Sequence, residues 1–376
     1  MSAPHAAALL DWLACAYGGR DQRAARAALA TGDGLLERVA WLGTAGHVLD
    51  FDDTYLPGIA HLSAPTAPAA IALAADLGLS VGDALDAHAA GFEAMGTLSR
   101  SYRLYEGGWH PTAVCGAAGA ARAAARLLGL DDERAGAAVR LALLQAGGLR
   151  AAFGSDGKSL QVGMAAAAGV QAARLAAGGA VITAGVEHAG DGFAAAFGGA
   201  RGDGGAGGPA VEENWIKPWP CCLMSHSAIE AAHDAREELG DGPIAVTVHP
   251  VARRAAAYDD VEDGLQAKFS IPYLVAHVAL RGEPDPSSFA GVDGEVRAFA
   301  RDRVTLATDD GLGEAEAVIA IGGDEVARVR HARGSPERPM SADELAAKCA
   351  MLAGDALDGV LDDRAAPAQT LLDALC

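Results

Sequence analysis

The sequence predicts a mainly α-helical protein with an α+β second domain, and three observations carry that prediction. Of the 376 residues, 51% are hydrophobic but only 5% are aromatic. The apolar weight falls on Ala, Leu and Val, and Ala is the strongest helix former. Strand-like runs are confined to the second half, at Ile244–His249, Val304–Ala307, Ala315–Ile321 and Val326–Val329. Before them lies a low-complexity glycine run, residues 199–210, which reads as a linker. The length suits two domains. We place the helical one at 1–210, completed by 341–376, and the α+β one at 211–340.

The elements follow in order. Residues 4–17 and 21–53 read as helices separated by Gly18-Gly19. Residues 65–77 and 81–104 come next, with Gly78 ending the first and Ser80 capping the second. Tyr105-Glu-Gly-Gly-Trp-His-Pro111 makes a turn. The helix expected at 111–128 is so rich in Gly and Ala that neighbouring backbones can approach it closely, which predicts a central position. Helices are expected at 131–146, 159–177 and 186–198, with a short run at 180–184 between the last two. In the second domain helices are expected at 225–238 and 270–280. The segment 341–376 returns to Ala/Leu helix, with Ser341 and Glu344 as a capping box.

Bulk charge excludes some partners. A net charge of −20 disfavours nucleic acid and anionic membranes, which require basic patches. A small anionic substrate is compatible if a few cations converge. Cys15, Cys115, Cys221, Cys222, Cys349 and Cys376 form no metal-type or disulfide-type spacing, so they read as reduced thiols in a cytoplasmic protein. The first residues lack the basic region of a signal peptide. No uninterrupted apolar stretch reaches the ~18 residues of a membrane span.

Several stretches carry chemistry. His47-Val-Leu-Asp-Phe-Asp-Asp-Thr54 concentrates titratable groups between apolar helices, and His61 follows a Pro-Gly turn. Such a cluster is either a helix end that aims Asp50 and His61 into a cavity or a locally capped helix terminus. His110 stands just before Pro111, where a helix N-terminus favours anions and lowers imidazole basicity, unless it is a simple loop histidine. Gln145–Ser159 is a glycine-rich connection containing Arg150 and Lys158, with spacing unlike a phosphate loop. A lysine at a helix start is electrostatically misplaced for stability, which favours a carboxylate-holding task over simple exposure. Two prolines stiffen Lys217-Pro-Trp-Pro-Cys-Cys222, so Lys217 and Cys222 are held. A Cys222–His226 dyad lacks any nucleophile signature around it. Tyr273 opens a helix, and offers a phenol to a pocket or simply packs in the core.

Together these segments resemble the MmgE/PrpD family, which includes 2-methylcitrate dehydratase, cis-aconitate decarboxylase and iminodisuccinate epimerase. The resemblance rests on an ordered series: His-x-x-Asp-Phe-Asp-Asp-Thr at 47–54, His-x-Ser at 61–63, Trp-His-Pro-Thr at 109–112, Gly-x-x-x-Lys-Ser-Leu at 154–160, Lys-Pro-Trp-Pro at 217–220 and Phe-Ser-Ile-Pro-Tyr at 269–273. It implies a helical domain built from both chain ends, a smaller α+β lid, a homodimer, a site in the interdomain cleft and no metal or organic cofactor. Carried over by motif, the site comprises Asp50, His61, His110, Lys158, Lys217 and Tyr273. Decarboxylase members have a histidine where this chain has Cys222, and the Asp50–His61 spacer here is slightly longer. Both departures weigh against cis-aconitate decarboxylation.

The resulting expectation is a lyase acting on a small di- or tricarboxylate by dehydration or decarboxylation. Asp50 and His110 would share the proton transfers with help from His61. Lys158 and Lys217, with Arg150 nearby in sequence, would bind carboxylates, and Tyr273 would donate a proton or hydrogen bond. The alternative is an epimerase that moves a proton alpha to a carboxylate, with Cys222 as a second-face acid/base. A non-catalytic helical scaffold would leave the polar series unexplained. Asp52 and Asp53 are assigned to capping and to orienting their neighbours.

Overall fold

A computed structural model describes residues 3–188, 190–198, 206–240 and 242–375. Cys376 and most of the glycine run, residues 199–205, lie outside the described residues. The chain divides into two compact units. The first comprises 1–152, 156–216 and 341–376, and the second 153–155 and 217–340. The protein is mainly helical, with a small mixed sheet in its second unit.

The first unit begins with α1 (Ala3–Gly19), which runs through both glycines expected to break it. The single helix expected over 21–53 is two: α2 (Arg23–Leu29) and α3 (Leu35–Val48). Thr31-Gly-Asp-Gly34 separates them, with Gly32 at φ 152°, a conformation open mainly to glycine. The chain leaves α3 through Asp50, a non-glycine residue in the left-handed region at φ 54°. That turn throws residues 50–53 off the helix and into the interior. A short strand, β1 (Thr54–Tyr55), follows. Then come α4 (Ser63–Asp76) and α5 (Val81–Ser101). The expected Ser80 cap is present, completed by Asp83 as a capping box.

Helix α6 (Pro111–Leu127) is buried along most of its length, as its small residues predict. It packs against α4, α5, α7 (Asp132–Leu143) and α8 (Gly157–Ala177). Helix α8 also packs on α3, and the contact is backbone-close: a Cβ on Gly163 would meet the Ala40 carbonyl. In place of one helix at 186–198 there are two single turns, α9 (Gly185–His188) and α10 (Phe193–Ala196). Strand β2 (Asn214–Trp215) pairs antiparallel with β1.

The second unit contains α11 (His226–Asp234), β3 (Ile244–Val248), α12 (Pro250–Ala255), α13 (Gly264–Ala267), α14 (Ile271–Arg281) and α15 (Gly294–Arg303). Strands β4 (Val304–Thr308), β5 (Ala317–Ile321) and β6 (Asp324–Val329) complete the sheet, in the order β4-β3-β5-β6. Strands β3 and β4 run parallel and the other pairs antiparallel, with Val246 opposite both Leu306 and Ile319. Ile244, Val246 and Val248 all point inward, as the alternation requires. Helix α15 escapes a periodicity argument because only Val296 and Ala300 are buried on it.

The chain then returns to the first unit. The continuous helix expected from 341 is α16 (Ala342–Ala353), stopped at Gly354 (φ 60°), and a short α17 (Gln369–Asp373). The intervening turns are not loose: Ala366 O and Arg364 O accept from Val81 and Gly82 at the head of α5. Lys348 of α16 reaches Asp11 at 2.5 Å and donates to the Phe51 carbonyl at 2.7 Å. The C-terminal segment therefore grips the 50–53 turn from behind.

Candidate functional site

The site grows out of the end of α3. His47 sits in its last turn, and the left-handed Asp50 folds the chain back so that Asp52 lies beneath it. His47 Nδ1 is 2.8 Å from Asp52 Oδ2. Lys158, in the first turn of α8, places its ammonium 2.9 Å from His47 Nε2 and 2.8 Å from Asp50 Oδ1. An ammonium can only donate, so His47 Nε2 must accept. The ring proton is therefore on Nδ1, directed at Asp52. Burial lowers the His47 pKa against the opposing pull of Asp52, and Lys158 adds to the lowering; with Nε2 accepting from the ammonium, the ring is the neutral one.

His61 enters from the other side of the same carboxylate. Its Nδ1 is 3.2 Å from Asp52 Oδ2, and its Nε2 is 3.9 Å from Asp50 Oδ1. The His61 backbone N–H donates to Thr112 Oγ1 of α6, which ties the loop to the central helix. The His47 and His61 rings meet edge to face at 4.5 Å between centroids. Burial opposes ionisation of Asp52, yet His47 and His61 hold its carboxyl well below the usual range. Asp53 turns away: it accepts from Ser63 N and Oγ at the start of α4 and from Asn214 Nδ2.

His110 completes the cluster. It precedes Pro111, and its extended backbone suits the residue before a proline. Its N–H donates to Gly148 O, and Arg150 N donates to Gly108 O, so segment 148–150 clamps the turn. The His110 ring stacks near His47 at 5.9 Å. Gln161, one turn after Lys158 on α8, places its amide nitrogen 2.6 Å from His110 Nδ1. Burial carries the His110 pKa well below its ordinary value, with Lys158 adding to it.

Thus Asp50, His61, His110 and Lys158 come together inside the first unit. Arg150 does not join them. Its guanidinium donates to Tyr105 O at 2.7 Å and lies 4.1 Å from the Tyr105 ring centre, which staples the 105–110 turn. Lys217, Cys222 and Tyr273 belong to the second unit. Lys217 is fully buried, and Cys222 N donates to the Lys268 carbonyl. The Tyr273 hydroxyl accepts from Asp293 N at 3.0 Å at the head of α15, and burial raises its pKa.

Asp52 orients its neighbours, as expected, by holding His47 and His61. Two participants escape motif reasoning: His47, which lies in the quoted motif without a place in the expected site, and Gln161. One signal for Gln161 was available: its i, i+3 spacing from Lys158 puts both on one helix face. Among the described residues His47, Asp52 and His61 offer ligand atoms within 4.8 Å of one another. Those atoms are already engaged with each other, and the Lys158 ammonium stands beside His47. A cation placed there would have to displace these hydrogen bonds and face that charge. The arrangement suits proton transfer: a neutral imidazole, two imidazoles sharing one carboxylate, and a buried ammonium.

Comparison with known sequences places the chain among related proteins. Human cis-aconitate decarboxylase is 36% identical over 141 residues, covering 36% of this chain and 29% of that protein. The mouse cis-aconitate decarboxylase is 35% identical over the same length and shares. The match thus spans less than a third of either relative. The MmgE/PrpD N-terminal domain matches residues 36–203, which hold the whole His47–Asp50–Asp52–His61–His110–Lys158 cluster, and the MmgE/PrpD C-terminal domain matches 219–374. With both domains present over most of its length, the chain belongs to the MmgE/PrpD family.

Proposed function

We propose that this protein is a lyase that removes water or CO2 from a small di- or tricarboxylate by acid–base chemistry at the cluster around Asp52. The observation that carries the reading is the buried His61–Asp52–His47–Lys158 chain, with His110 stacked beside it. Abstraction of a proton alpha to a carboxylate needs a base held at a defined nitrogen. Asp52 accepts a hydrogen bond from His61 Nδ1–H, which fixes the ring proton there and leaves Nε2 as the basic atom. The developing enolate-like charge needs a nearby cation in a dry setting, and Lys158 supplies one. A neutral His110 supplies a proton to the leaving hydroxyl or to the carbanion left by CO2. In this reading Asp50 positions Lys158 rather than acting as the base. The similarity to cis-aconitate decarboxylase supports the same substrate class.

Incubation with a panel of polycarboxylates in D2O, followed by proton NMR, tests it. The panel includes cis-aconitate and 2-methylcitrate. New alkene signals or loss of CO2 are expected, and both should vanish in His61→Ala. Deuterium incorporation without net elimination would replace the lyase reading by an epimerase. Inertness toward the whole panel would remove both.

A further inference from the structure

We propose that Gln161 is a positioning residue that locks His110 in the tautomer carrying its proton on Nε2, and so commits this histidine to donating rather than accepting the proton. The catalytic consequence of this lock rests on the proton-transfer function proposed above; the tautomer itself follows from geometry.

Gln161 makes three bonds that fix its own orientation. Its Oε1 accepts from the backbone N–H of Leu149 at 2.9 Å, and a backbone N–H can only donate. The opposite amide atom is therefore the NH2. That nitrogen is 3.3 Å from the Leu149 carbonyl, which can only accept, so both main-chain groups of Leu149 read the amide in the same sense. The second amide hydrogen remains for His110 Nδ1, 2.6 Å away. An NH2 group pointing at Nδ1 requires a lone pair there, so the ring proton sits on Nε2. A doubly protonated His110 would bring two donors face to face. Lys158 and the rings of His47 and His61 add to the penalty against the imidazolium, and Asp50 opposes it only in part.

The frame that holds the amide is itself rigid. Leu149 belongs to the short ladder in which His110 N donates to Gly148 O and Arg150 N to Gly108 O. Arg150, bonded to Tyr105, closes the same turn. Gln161 therefore bridges α8, the ladder and the imidazole. His61 and His110 take opposite roles for one reason. Asp52 accepts from Nδ1 of the first, and Gln161 donates to Nδ1 of the second.

The test is 15N NMR of ring-labelled protein, which reads the tautomer without any substrate. The unmodified protein should show His110 Nδ1 unprotonated and Nε2 protonated; the reverse pattern overturns the proposal. Gln161→Glu is nearly isosteric and keeps an acceptor for Leu149 N while turning the His110 partner from donor to acceptor. It should move the proton to Nδ1 and lower kcat about 10²-fold or more with little change in KM. Retention of the Nε2–H pattern in Gln161→Glu overturns the lock. A switched tautomer with unchanged kcat overturns the donor role of His110. Failure of the lyase reading would appear separately, as absence of turnover by the unmodified protein with its tautomer as stated.

Discussion

The Lys158 ammonium lies 2.8 Å from Asp50 Oδ1, across 108 residues of chain, and both side chains are buried. The pair joins the first turn of α8 to the left-handed residue that ends α3. It therefore does two things: it holds an unusual backbone turn, and it keeps a positive charge in a nearly dry site.

Removing one side of such a pair is costly. Lys158→Met leaves the Asp50 carboxylate without that ammonium, and should destabilise the protein by about 3–5 kcal/mol. The double variant Lys158→Met, Asp50→Asn should regain much of that stability, yet neither protein should turn over a polycarboxylate. Urea unfolding of the two variants measures the difference. Equal stability of Lys158→Met and the unmodified protein would show that the pair bears no structural load.

Asp52 is the hinge of the proton network, because His47 and His61 share its Oδ2. Asp52→Asn replaces a charged acceptor by an amide that also carries donors. The His61 ring then loses the partner that fixes its proton on Nδ1. We expect kcat to fall by about 10²–10⁴ with KM nearly constant, the pattern of a mis-set imidazole. Steady-state kinetics on any substrate found in the D2O panel decides this. A change confined to KM would assign Asp52 to binding instead.

Acid should destabilise the protein through histidines that are buried neutral. His88 is the clearest: burial lowers its pKa to about 3, and His5 adds to the effect. Thr66 Oγ1 gives its own proton to Leu62 O, so it accepts from His88 Nδ1 at 3.2 Å, which places the proton of the neutral ring on Nδ1. The folded pKa lies below the unfolded value of about 6.5, so between them the unfolded chain binds more protons. Stability from this group is complete above about 6.5 and is lost as pH falls toward 3. Asp53, which burial pushes up to about 8, works with the opposite sign: its contribution falls as pH rises from about 4 to 8. His88→Leu should therefore flatten the acid limb of the stability curve by up to about one proton per molecule. Urea midpoints from pH 7 to 4 give the slope, and an unaltered slope would mean that His88 titrates alike in the folded and the unfolded chain.

The α3–α8 contact sets where His47 and Lys158 meet. Gly163→Ala would drive a methyl group into the Ala40 carbonyl and the Thr44 hydroxyl. The helices must separate, at an expected cost of about 1–3 kcal/mol. Because His47 and Lys158 ride on those two helices, activity should fall further than stability explains. Comparing kcat at a temperature where the variant is fully folded, by circular dichroism, checks this.

Much of this was legible in the chain. His61, His110 and Lys158 stand in motifs that each left a bland alternative open and gained weight only as an ordered series, and the Ala and Gly density of α6 predicts its central position. Helix caps at Ser80 and Ser341 were readable because capping is a local bond. The break between α2 and α3 falls on Thr31-Gly-Asp-Gly34, where Gly32 takes φ 152° and Gly34 is an extended N-cap; the single helix expected over 21–53 ran through that glycine punctuation. Arg150 illustrates the opposite failure. It neighbours the site in sequence, but its bonds run to Tyr105. Proximity along a chain says nothing of where a long side chain turns.

The sequence by itself determined the composition-driven helical class, the four-stranded sheet of the second half (though not the short β1–β2 pair, whose β1 lies at Thr54–Tyr55), and the residue types able to move protons and hold charge. Those follow from local propensity, periodicity and side-chain chemistry. Only the tertiary structure decided which nitrogen of each histidine bears its proton. That choice depends on which donor or acceptor arrives from a distant element: Lys158 at His47, Asp52 at His61 and Gln161 at His110. A hydrogen bond is directional over about 3 Å, and no pattern along the chain carries that information.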